Sequence, residues 1–319
     1  DTETILHAYE EYGAQCVTHL RGMFTIAIWD APRRRLFLAR DRLGKKPLYY
    51  AFDGQRLVFG SELKAVLAHP GVVRRVDEQA LVEYVAWGYV PDPRSIYAGV
   101  AKLPPAHTLV VENGNVTVER YWDVSFTETA RPAATETDHV DRVLEILDEA
   151  VRIRLMSEVP LGAFLSGGTD SSVVVALMAK HSAAPVKTFS IGFEEKAYNE
   201  LDYARRVAEH FKTEHHEEVV RPDAEQDVPA LVRQFDEPFA DSSMIPTYYV
   251  CRSARRHVTV ALSGDGGDEL FAGYLRYVDP ANVRAVERIP AGIRNALFAP
   301  VAHMLPEGAR GIDRLRDML

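Results

Sequence analysis

Cysteine is nearly missing from this sequence: it occurs twice in 319 residues, at Cys16 and Cys251, far apart and without the spacing of a disulfide framework. That scarcity fits a reducing compartment, and the cytoplasm is the expected location. Also lacking is any uninterrupted apolar run near the roughly 20 residues that a membrane helix needs. The first residues, Asp1-Thr2-Glu3-Thr4, carry no charged-then-apolar leader, so a membrane is not expected as a partner. An excess of positive charge is absent as well, with 37 Lys and Arg against 46 Asp and Glu and a formal net charge of -9. Neutralising phosphates takes a basic surface, so wholesale binding to nucleic acid is not expected, a local basic patch aside. Low-complexity repeats are missing too, and 47% hydrophobic with 26% charged residues is the composition of a globular enzyme rather than of a disordered chain. The length predicts two domains, each large enough to bury its own core.

Residues 3–20 have apolar positions at helical spacing, and Met23 to Trp29 reads as a buried strand closed by Asp30-Ala31-Pro32. Leu36 to Ala39 and Leu48 to Phe52 follow, with Asp53-Gly54 turning the chain into Leu57 to Phe59. A second hairpin is expected at Thr108 to Val111 and Val116 to Tyr121 around Asn113-Gly114. Ser125 to Thr137 has the composition of an exposed linker. From His139 the pattern becomes helical runs separated by the short apolar stretches Leu161 to Leu165, Val186 to Phe193 and Val258 to Leu262. That alternation predicts a parallel sheet covered by helices, with ligands at the strand ends.

Two loops stand at such strand ends. Ser166-Gly167-Gly168-Thr169-Asp170-Ser171-Ser172 joins a strand to a helix. Glycines let backbone amides approach an anion, the Ser hydroxyls add donors, and the helix N-terminus adds its positive dipole end. The loop lacks the Lys of the common P-loop pattern, which disfavours ordinary γ-phosphate transfer. Asp170 is placed to hold a magnesium ion against phosphate oxygens. Alone, the same residues are as well explained as an ordinary Gly turn with a capped helix. Ser263-Gly264-Asp265-Gly266-Gly267-Asp268-Glu269 follows another apolar strand. Alone it is as well explained as an exposed acidic turn; paired with Asp170 it supplies a further carboxylate for one cation.

The first loop resembles the SGGxDS pyrophosphate loop of the N-type ATP pyrophosphatases, with Thr169 where an aliphatic residue is more usual. Ser263 to Tyr274 resembles the SGxGxDExFxGY segment of the asparagine synthetases, which narrows the superfamily to one branch. The resemblance implies that Ser166, Gly167, Gly168 and Ser171 contact pyrophosphate, that Asp170 and Asp268 hold magnesium, and that Ser263 and Gly264 touch the nucleotide. Phe164 and Ile191 match positions that pack adenine, although ordinary buried strand residues would look the same. Asp265 falls where many synthetases have a Glu implicated in forming the acyl-adenylate, and is one methylene shorter. Asp236-Glu237-Pro238 through Thr247 resembles the family's DEPxxDSSxxPTY stretch and is expected to wall the active site, with Asp236 and Glu237 outside the catalytic set. His215-His216-Glu217 has no further ligand at a metal spacing and is expected to be structural. Cys251, in the helical run Tyr248 to Arg256, is expected to be a buried small residue.

Arg40 to Tyr50 and Phe59 to Ala65 resemble the RDRxGxKPLYY and FxSExKA signatures of the class II glutamine amidotransferase domain of these synthetases. Glutamine hydrolysis in that class uses an N-terminal Cys, and residue 1 here is Asp. Asp1-Thr2-Glu3 resembles the SDTE segment whose Asp binds the amino group of glutamine, which makes Asp1 the glutamine-binding candidate. The resemblance therefore implies a chain truncated at both ends and inactive as it stands.

The implied fold is α/β: the C-terminal part of an antiparallel, sheet-rich glutaminase domain at 1–124, a linker at 125–138, and a parallel-sheet, adenine nucleotide alpha hydrolase-like (PP-loop) domain at 139–319, incomplete at its C-terminal end. The implied activity is an ATP-dependent ligase that converts aspartate to asparagine through a β-aspartyl-adenylate, with ammonia from glutamine. Its partners would be small molecules (ATP with Mg2+, aspartate or a related carboxylate, glutamine or ammonia), and a homodimer is one option. Still open are an amidotransferase acting on a sugar acid or peptide, a β-lactam-forming relative, and a non-enzymatic nucleotide-binding scaffold.

Overall fold

The computed structural model describes residues 2–126, 135–194, 199–221 and 223–274. Contacts divide the chain into two units, Asp1–Ala134 with Pro222–Tyr248, and Thr135–Arg221 with Tyr249–Leu319.

The first unit opens with α1 (Thr2–Tyr12), a 3-10 turn at Gly13–Gln15 and α2 (Cys16–His19). The single helix expected over 3–20 breaks at Gly13, whose φ of +57 costs glycine nothing and most side-chain-bearing residues about a kcal/mol. Its sheets are antiparallel. The larger one runs β1 (Thr25–Asp30), β2 (Arg35–Arg40), β6 (His107–Glu112) and β7 (Asn115–Arg120). The smaller one is ordered β4 (Leu57–Gly60), β3 (Tyr49–Phe52), β5 (Val100–Lys102). Both expected hairpins form, with Tyr50 opposite Phe59 and Val111 opposite Val116. Asn113 and Gly114, at φ of 52 and 80, make the two-residue turn whose twist suits the second hairpin. Helices α3 (Leu63–Leu67) and α4 (Glu78–Trp87) precede β5. Residues far along the chain complete the unit: α8 (Ala224–Phe235) and the first half of α9 (Met244–Ala254). Alternating strand positions bury Ile26, Ile28, Phe37 and Ala39 against Tyr9, Cys16 and Val17. Leu38, Leu48, Leu103 and Leu109 fill a separate cluster.

The second unit begins with α5 (Glu136–Arg154), started by a capping box between Thr135 and Asp138. It is built on a parallel sheet of order β10 (Glu214–Val220), β9 (Lys187–Phe193), β8 (Leu161–Phe164), β11 (Val260–Leu262). Helices α6 (Thr169–His181) and α7 (Leu201–Phe211) are the β8–β9 and β9–β10 crossovers, and α10 (Gly267–Phe271) follows β11. Val151, Ala163, Leu165, Val175, Met178, Val186, Ala204 and Ala208 form its main core. Among the described residues no helix is long and apolar enough to cross a membrane. From β8 the chain moves outward to β9 and β10 and then returns to lay β11 on the other side of β8. The direction of winding reverses between β8 and β11, which leaves a crevice at their carboxyl ends.

Candidate active site

Both glycine loops leave the sheet at that crevice, one after β8 and the other after β11. Backbone ladder bonding continues to Leu165, whose N–H donates to Phe189 O at 2.9 Å. The next acceptor, Leu165 O, is taken by the buried hydroxyl of Ser190 instead of by backbone. A side chain thus ends the ladder where the loop must leave the sheet.

Ser166 and Ser171 tie the loop to the first turn of α6. Their hydroxyls lie 3.0 Å apart, Ser166 N donates to Ser171 Oγ at 3.3 Å, and Gly168 N donates to Ser166 Oγ at 3.3 Å. Gly167 has a φ of +84, and a Cβ there would fall 2.5 Å from the Tyr203 carbonyl carbon in α7. Gly168 is the N-cap of α6, so the first-turn amides and the positive end of the helix face this loop.

The two loops touch. A Cβ on Gly264 would come within 2.7 Å of Ser171 N, and one on Gly267 within 2.8 Å of Asp170 Oδ1. Glycine is thus required in the second loop for the half-buried Asp170 carboxylate to lie against its backbone. The Asp170 side chain makes no hydrogen bond or ion pair within the described residues. Asp268, in the first turn of α10, lies against Gly273 of its own turn and is likewise without a polar side-chain partner among the described residues. A half-buried carboxylate with no protein donor is available to a cation. Magnesium takes one or two carboxylates and completes its shell with water and phosphate oxygens, so this donor set fits it. Among the described residues no group of three or more acidic, His or Cys side chains could hold a metal without such additional ligands.

Asp265 is exposed and accepts a hydrogen bond from Ser263 Oγ at 2.9 Å. Phe164, half-buried, packs with Val250 of α9 against Phe189, Ala254 and Val258. Ile191 is half-buried near the carboxyl end of β9, opposite Glu218. Asp1 lies outside the described residues.

The fold also bears on residues outside the two loops. Cys251 is exposed rather than buried as expected; desolvation by the surrounding helix and the charge of Asp265 push its thiol pKa up, which disfavours the thiolate. Asp236 and Glu237 sit in the first unit, where Glu237 Oε1 accepts from Ile96 N at 2.7 Å and Asp236 Oδ2 from Lys64 N at 3.0 Å. The His pair is held by protein groups: His215 Nδ1 lies 2.8 Å from Thr188 Oγ1, and the His216 ring stacks on His257 with centroids 4.0 Å apart. Nothing in the sequence singles out Ser190, whose apolar flanks mark it only as part of a buried strand.

The model of the family described as asparagine synthase matches residues 142–316, and that of a glutamine amidotransferase domain matches residues 1–122. Over 314 residues the chain is 38% identical to "Asparagine synthetase [glutamine-hydrolyzing] 1" of Bacillus subtilis, covering 98% of this chain and 49% of that protein. It is 38% identical over 303 residues to "Putative asparagine synthetase [glutamine-hydrolyzing] 2" of Methanocaldococcus jannaschii, covering 92% and 58%. A more distant relative, "Amidase chry2" of Gibberella zeae, is 30% identical over 302 residues, covering 86% and 43%. The chain thus spans about half the length of the curated relatives it matches.

Proposed function

The chain belongs to the asparagine synthase family, and from that premise we propose that it takes part in ATP-dependent conversion of aspartate to asparagine, with ammonia drawn from glutamine. The observation that carries this reading is the meeting of the two glycine loops at the β8/β11 crevice, with the Asp170 carboxylate, unpaired among the described residues, between them. The amides and hydroxyls of Ser166, Gly167, Gly168 and Ser171 would bind the pyrophosphate end of ATP, while Ser263 and Gly264 border the nucleotide and Phe164 and Ile191 flank adenine. Asp170 and Asp268 would hold Mg2+, which when bound neutralises phosphate charge. The substrate carboxylate attacks the α-phosphorus, pyrophosphate leaves, and ammonia then displaces AMP from the β-aspartyl-adenylate. Asp265, anchored by Ser263, would act beside the adenylate being formed. Most of the catalysis is positioning and preorganised charge, so the donors need little rearrangement. Asp1 would bind the glutamine amino group. The division of labour follows 1–124 for nitrogen supply and 139–319 for adenylation, joined through 125–138. The near absence of Cys supports a cytoplasmic location.

Relatives whose printed name is amidase support a second reading, in which the same adenylation serves another carboxylate. One experiment separates these. Pyrophosphate release from Mg-ATP and ammonia is measured on the protein as its gene encodes it, with aspartate or other carboxylic acids, alongside Asp170→Ala. Aspartate-dependent release, lowered on the order of 100-fold or more in Asp170→Ala, is the expected outcome. Release with a different acid alone transfers the mechanism to that acid, and no release with any acid refutes it.

A further inference from the structure

The acidic pair Asp236-Glu237 is engaged by protein groups of its own unit. The Glu237 side chain is 10% exposed, and Oε2 pairs with Lys102 Nζ, itself 12% exposed, at 2.8 Å. Oε2 also accepts from Tyr49 OH at 3.2 Å, and Oε1 accepts from Ile96 N at 2.7 Å. Lys102 in turn donates to Val90 O at 2.6 Å. Asp236, at a φ of 63, accepts from Lys64 N, and its Oδ1 lies 3.3 Å from Lys64 Nζ. Ala240 N then donates to Gly88 O at 2.8 Å. Tyr49, Lys64, Ile96 and Lys102 fall in the stretch that matches the amidotransferase domain, whereas Asp236 and Glu237 fall in the stretch that matches asparagine synthase.

The segment so pinned runs directly into a helix that supports the candidate site. Asp241 Oδ1 accepts from Ser243 N at 2.8 Å, and α9 begins at Met244. Pro246 is tolerated there because the first helical turn needs no donor from it. Further along α9, Val250 and Ala254 share one apolar cluster with Phe164. Buried ion pairs contribute little net stability compared with apolar packing, and their best attested use is to specify one arrangement of a chain over others.

We propose that Glu237 is a positioning residue that couples nitrogen supply to adenylation: anchored on Tyr49, Lys102 and Ile96, it fixes the entry to α9 and thereby the α9 side of the adenylate site. The proposal rests on the function proposed above. Its test uses the protein as its gene encodes it, with Glu237→Ala and Glu237→Gln, and follows glutamate and pyrophosphate with glutamine or with ammonia as nitrogen source. In Glu237→Ala, ammonia-supported pyrophosphate release falls severalfold and glutamine-supported release falls further, while glutamate formed per pyrophosphate rises severalfold. Glu237→Gln, which can still accept from Ile96 N and Tyr49 OH, falls between. Parallel loss with both nitrogen sources, or an unchanged ratio, overturns the proposal.

Hydrogen exchange of the free protein supplies a second readout that needs no activity. Amides of 236–248 and of 249–254 exchange about tenfold faster in Glu237→Ala, with strands 161–164 and 187–193 unchanged. Unchanged exchange at 249–254 overturns the anchoring even in a protein that releases no pyrophosphate. Absence of wild-type release with any acid, together with faster exchange at 249–254, instead refutes the function and keeps the anchor.

Discussion

Glycine at 167 is enforced twice, by backbone conformation and by space. Its φ of +84 disfavours any L side chain, and a Cβ would strike the Tyr203 and Ala204 backbone at 2.5 and 2.6 Å, atoms that cannot swing aside like a long side chain. Its neighbour is different: Gly168 has a φ of -68, and a Cβ there would meet only Ser166 Oγ at 3.4 Å. The two glycines look equivalent in Ser-Gly-Gly-Thr-Asp and are not. Gly167→Ala is expected to cost about 1–3 kcal/mol of stability through backbone strain and to weaken ATP binding on the order of tenfold or more, because the loop must move off α7. Gly168→Ala should cost about 0.5 kcal/mol, the scale of a lost glycine cap. Titration calorimetry with Mg-ATP and thermal melts of the two variants check this, and equal effects would contradict it.

At the scale of elements, β10 carries a pH dependence that its sequence does not advertise. His215 is held between Thr188 and Glu217, the latter 3.2 Å from Nε2. Burial outweighs the Glu217 charge and depresses the imidazole pKa below its ordinary 6.5. The folded state therefore binds that proton less readily than the unfolded chain. The stabilising contribution is complete above about pH 6.5 and is lost as pH falls through the depressed folded value. Between pH 7 and pH 5 the melting temperature of the wild type is expected to fall more steeply than that of His215→Gln; parallel curves would remove His215 from the account.

The same scale shows what was legible beforehand. Strands β8, β9 and β11 and both hairpins could be read because apolar runs and turn residues are local signals. Helix α4 lacks a readable apolar period, although Asp77 caps it through Ala80 N and Gly88 ends it in the left-handed conformation. Its apolar residues obscure the pattern: Leu81, Val82 and Val85 are exposed, while its buried residue is the small Ala80. The pairing of Glu237 with Lys102 joins residues so distant in sequence that no periodicity reports it. The glycine loops were readable as loops, but the fact that Gly264 and Gly267 make room for Asp170 is a property of strand order.

For the whole molecule, each unit has its own apolar clusters, and multidomain chains often unfold in more than one step. Both glycine loops lie in the second unit, whereas the first contains Trp29, Trp87 and Trp122, the three tryptophans of the chain. A ligand that binds only the folded second unit stabilises it by mass action, about 2.7 kcal/mol at a concentration of 100 Kd. Tryptophan emission reports the other unit. With Mg-ATP at that concentration, the calorimetric transition of the second unit should shift by the full amount and the tryptophan transition by a minor part of it. If Glu237 and α9 are the path by which that part is transmitted, Glu237→Ala abolishes it and leaves the calorimetric shift intact. A tryptophan transition that follows ATP fully in both proteins would instead mean that the units unfold as one cooperative block, and that no single residue links them.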